Sequence, residues 1–70
     1  MDAKDLVRAM IAQLAAMSHW SITSREDHQY RAGKFDMTVH AAQVAFGYDE
    51  TKATEFVSGE VQERIVARAD

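Results

Sequence analysis

FDMTVHAAQVAFGY, residues 35–48, decides how the rest of the chain must be arranged. From Met37 to Tyr48 it carries no formal charge, and seven of the ten residues Met37 to Phe46 are apolar. Wound into a helix, it puts Met37, Ala41 and Val44 on one side and Val39, Ala42 and Phe46 on another. A helix that is apolar nearly all round must be shielded by its neighbours. The stretch therefore predicts a central helix against which the flanking segments pack.

On its N-terminal side, Asp2 to about Met17 reads as an amphipathic helix. Ala3, Val7, Met10, Leu14 and Met17 recur at spacings of four and three, and Leu6 and Ile11 widen that stripe into one suited to a bundle. Asp2 and Asp5 lie where the helix dipole favours acids. His19 to Ile22 reads as a connection, and Thr23 with Glu26 forms a capping-box pattern that opens the next helix. The spacing predicts that this middle helix runs from 23 to 46, with a possible break at Gly33. Tyr30, Met37 and Val44 recur every seven residues across that glycine and favour continuity. The alternative ends the helix at Gly33 and restarts it with Asp36 as N-cap. The segment Gln29 to Phe46 also resembles the turn and second helix of a tetratricopeptide hairpin, in Gly33, Phe35 and the pair Ala42/Ala45. That resemblance covers 18 of the 70 residues and implies only the broken form of the helix.

On the C-terminal side, Gly47 is a helix stop and Asp49 an N-cap for a last helix reaching about Ala67. Ala53, Val57, Val61 and Ile65 form its ridge, with Phe56 beside them, while Arg64 and Arg68 suit its negative end. Gly59 is an unfavourable residue inside a helix, unless another backbone approaches it closely. The fold class is thus all-α, a small three-helix bundle in a single domain covering residues 1–70.

Seventy residues bury only about 60% of the surface that the unfolded chain exposes, so small domains are commonly supplemented by disulfides, metals or partner subunits. With no cysteine present, disulfides and thiolate metal sites are excluded. A continuous 24-residue helix extends about 36 Å at 1.5 Å per residue, longer than short neighbours cover. Both considerations predict a helical homodimer. The uncharged run Ala9 to Ser24 is too short to span a membrane and is interrupted by Gln13, Ser18 and His19. A soluble, cytoplasmic protein is expected.

Charge is informative through its placement. Of the formal net charge of −3, all sits in residues 49–70, where six acids face three bases. No basic patch is present, which argues against a nucleic-acid surface. Ala41 to Val57 can nevertheless be aligned to a helix-turn-helix, with Gly47 at the turn. Its groove-entering helix would read DETKATEF, with three acids and one lysine, and Gln43 stands where that motif has a small residue. Pressing acids onto phosphate forfeits the counterion release that drives such binding.

Chemistry-bearing patterns are sparse. His19, His28 and His40 are spaced by nine and twelve, which places no two on one helical face as a zinc pair requires. Glu26, Asp27 and His28 are neighbours in sequence and so point in different directions on a helix. The glycines at 33, 47 and 59 are isolated and build no phosphate loop. No catalytic, cofactor or metal residue is assigned, and no enzymatic activity is expected. The expected partner is another protein. Trp20, Tyr30 and Tyr48 are the candidate contact residues because such rings bury much area with few torsions. Glu55, Glu60 and Glu63 on the acidic last helix complete the set, as a face for a basic partner. The resulting expectation is a protein-protein interaction module, a phage-like small regulator or inhibitor. The rival is a DNA-binding regulator using residues 41–57.

Overall fold

The computed structural model describes residues 2–17 and 25–69. Three helices follow one another: α1 (Ala3–Met17), α2 (Arg25–Phe46) and α3 (Glu50–Ala69). No strand occurs among the described residues. The capping box proposed at Thr23 lies outside them.

Local chemistry explains the ends of each helix. Asp2 caps α1, its Oδ1 accepting from the Lys4 amide at 2.8 Å. Asp49 does the same for α3, accepting from the Lys52 amide at 2.7 Å. Gly47 ends α2 at φ +73°, in the left-handed region that costs other residues strain, and its amide donates to the Gln43 carbonyl at 2.9 Å. Gly33 falls within the span of α2. A Cβ at Gly33 or at Gly59 would meet nothing within 4 Å, so neither marks a close approach within the chain.

The helices run up, down and up, each packing on both others. Lys4 of α1 reaches the Phe46 ring at one end, and Met17 lies beside Tyr30 and Lys34 at the other, so α1 and α2 are antiparallel. Helix α3 returns beside α2, with Phe56 against Phe46 near the turn and Val61 and Ile65 near Phe35 further along. The core joins Val7, Ile11, Leu14 and Met17 of α1, Val39 and Ala42 of α2, and Ala53 and Val57 of α3. Two of these core residues, Ala42 on α2 and Ala53 on α3, are fully buried alanines. Thr38 is the buried polar residue among those described; its hydroxyl donates to the Lys34 carbonyl at 2.8 Å, so no polar atom there is orphaned.

The central stretch is only half sheltered. Val39 and Ala42 are buried, but Met37 is 61% exposed and Val44 73% exposed. Two neighbouring helices cover one broad side of α2, and among the described residues no third element covers the opposite flank. The expectation of burial all round is corrected accordingly. The α1 stripe shifts similarly: its core face is centred on Ile11, while Met10 is half-buried and Leu6 is exposed.

Candidate protein-interaction surface

The exposed apolar residues are not scattered. Among the described residues, five large hydrophobic side chains are exposed: Leu6, Tyr30, Met37, Val44 and Val66. Four of them share one face, built by α1 and α2 together. Tyr30, Met37 and Val44 stand seven apart, which returns each to the same side of α2. On α1, Leu6, Met10, Gln13 and Met17 follow at helical spacing along the flank facing that side. Met10, Gln13, Leu14, Met17, Lys34, Met37 and Thr38 line a small crevice of about 40 Å³ where the two flanks meet. The antiparallel register set by Lys4 and Phe46 at one end, and by Met10 and Met37 near the middle, brings Leu6 level with Val44. The strip along α2 carries one basic side chain, Lys34, whose Nζ lies 5.6 Å from the Tyr30 ring centroid. It is therefore an apolar band with a cation–π contact near one end.

The other sequence-predicted contact residues fall elsewhere. Tyr48 is half-buried and stacked on Phe46, with ring centroids 5.3 Å apart and planes 14° from parallel. Phe56 completes a triad, 5.2 Å from Phe46 and 5.6 Å from Tyr48. Lys52 Nζ sits 4.7 Å from the Tyr48 ring centroid, on its outer side. The triad clamps the α2–α3 turn, and Tyr48 contributes packing there. Glu55 and Glu63 are exposed on α3, whereas Glu60 is half-buried. The three acids do not all share one patch: on a helix Glu63 lies within about 80° of each of the others, whereas Glu55 and Glu60 stand about 140° apart. Trp20 lies outside the described residues.

A second groove separates α2 from α3. Leu14, Arg31, Phe35, Ser58, Val61, Gln62 and Ile65 line about 300 Å³ of open space there. Four of its seven lining residues are apolar, and Arg31 is the charged one. Among the described residues no three His, Cys, Asp or Glu side chains are grouped as a metal site requires. No helix of the described residues is long and apolar enough to cross a membrane.

Sequence reasoning placed Tyr30 in the candidate surface but overlooked Leu6, Met37 and Val44 as surface residues. The heptad recurrence of Tyr30, Met37 and Val44 marks one side of the helix as well as its continuity. Compared with known proteins, the chain matches no family model, no curated protein and no solved structure.

Proposed function

We propose that this chain is a small helical interaction module that works as a homodimer and acts by binding another protein, with no chemistry of its own. Regulation or inhibition of that partner is the role that suits a domain of this size. The observation that carries the reading is the concentration of Leu6, Tyr30, Met37 and Val44 on one face. An apolar surface left uncovered by its own chain is favourable to bury against another. The outer side of α3, with Glu55 and Glu63 exposed, supplies a separate acidic surface for a basic partner.

A DNA-binding regulator using residues 41–57 is the second reading. It draws support from the three-residue connection between α2 and α3 and from the positive φ of Gly47. Against it, the residues that α3 turns outward include Glu50, Glu55 and Glu63, and acids oppose phosphate.

One comparison tests both. Immobilised wild-type chain and a Glu55→Lys/Glu63→Lys variant are incubated with lysate of the source cells. A protein retained by the wild type and released by the variant, and more weakly held as salt rises, supports the acidic face as a docking site. A parallel shift assay with mixed duplex at low salt must show no complex. Retention of duplex, with no protein distinguishing the two chains, would replace the first reading with the second.

A further inference from the structure

We propose that the apolar α1/α2 face is the seat of the dimer, occupied by a second copy of the chain in a two-fold arrangement with Met37 at the axis. This inference rests on the homodimer reading above and specifies which surface and which symmetry it uses. The first argument is spacing. Tyr30 lies seven residues before Met37 and Val44 seven after it. An antiparallel pair of α2 helices crossing at Met37 therefore sets Tyr30 of each copy level with Val44 of the other, and Met37 against its own mate. A self-complementary patch of this kind is what a two-fold interface requires. Repeats of seven also match the seam by which paired helices interlock.

Charge placement agrees. In that arrangement Lys34 of one copy lies level with His40 of the other, and Gly33 with Ala41. No acid is set against an acid, and no lysine against a lysine. An antiparallel pairing also opposes the helix dipoles favourably, whereas a parallel pairing aligns them.

The face has about the size a dimer needs. Helices of 15 and 22 residues are about 22 and 33 Å long, and two lying about 9 Å apart present a width of roughly 20 Å. That is about 500 Å² in projection, and the accessible area of a corrugated face is larger, approaching the roughly 800 Å² per partner of standard interfaces. Pairing two such two-helix faces builds a four-helix layer at the centre of a six-helix dimer. It shelters the flank of the central stretch that the single chain leaves bare.

The chain has no cysteine, so each introduced thiol reports alone. Met37→Cys should form a disulfide with its mate rapidly under mild oxidation. Tyr30→Cys and Val44→Cys should each fail to link to themselves, because their mates are about 20 Å apart along the helix at 1.5 Å per residue. Mixed together, those two variants should cross-link to one another. Val66→Cys, exposed on α3, serves as the control and should remain monomeric on a denaturing gel. Light scattering at tens of micromolar protein should give about twice the 7.9 kDa chain mass, and Val44→Glu, on an exposed position, should halve it with helix content unchanged by circular dichroism. A wild-type mass near that of one chain would overturn both the dimer and its proposed seat. Twice that mass, with self-linking of Tyr30→Cys or none of Met37→Cys, would overturn the arrangement alone and leave the dimer standing.

Discussion

Two valines separate what burial contributes from what residue type contributes. Val57 on α3 is 0% exposed and Val44 on α2 is 73% exposed. Replacing either by alanine removes the same atoms from a helix interior. At Val57 two buried carbons are lost, worth about 1.6 kcal/mol at roughly 0.8 each. The hole left behind, on the order of 50 Å³, adds about 1.2 kcal/mol at about 24 cal/mol per Å³. Alanine's better helix propensity returns about 0.5 kcal/mol, leaving a net loss of about 2 kcal/mol. At Val44 only about a quarter of the side chain is covered within one chain, so the loss of roughly 0.4 kcal/mol is cancelled by the propensity gain. Total stability of a domain this size is about 3.5–10 kcal/mol, so the Val57 change removes a fifth to a half of it.

Urea unfolding followed by circular dichroism, at concentrations low enough for single chains, measures both. The Val57 midpoint should fall strongly and the Val44 midpoint should hold. Equal losses at the two sites would refute the packing described for α2 and α3. Repeating the series at rising protein concentration adds a second reading. If the α1/α2 face seats a second copy, the cost of Val44→Ala should grow with concentration, because association stabilises the folded state by mass action. The Val57 cost should not.

Glycine positions give opposite expectations. Gly59 has open space where a Cβ would stand, so Gly59→Ala should raise stability by about 0.5–1 kcal/mol, seen as a higher Tm. Gly47→Ala should lower it by about 1–2 kcal/mol, since its φ of +73° strains any residue with a Cβ. Asp49→Ala removes the acceptor for the Lys52 amide and should cost about 1 kcal/mol in urea unfolding. The exposed Asp5–Arg8 pair at 3.1 Å should be nearly silent, with Arg8→Ala changing stability by less than about 0.5 kcal/mol.

Much of the fold was legible in the residue order because it rests on local chemistry. Asp49 as a cap and Gly47 as a stop act on backbone groups within a few residues, so their roles can be read before any packing is known. The same is true of the α1 stripe through Val7 and Leu14, and of Ala53 and Val57, whose spacing declares a buried side. Tyr48 was harder: a tyrosine after a turn glycine fits a contact residue as well as a packing one, and only the positions of Phe46 and Phe56 show that its ring is packed. The acids at 55, 60 and 63 group by composition, yet helical angle separates Glu55 from Glu60.

The central stretch marks the boundary most sharply. Its lack of charge established that it needs cover, since apolar side chains favour shelter wherever they lie. How many neighbours would reach it could not be read from the same residues, because coverage depends on where two other helices end up in space. Three helices enclose one line between them, and each keeps a back turned outward; tertiary packing alone assigned Val39 and Ala42 to that line and left Met37 and Val44 on the outer flank.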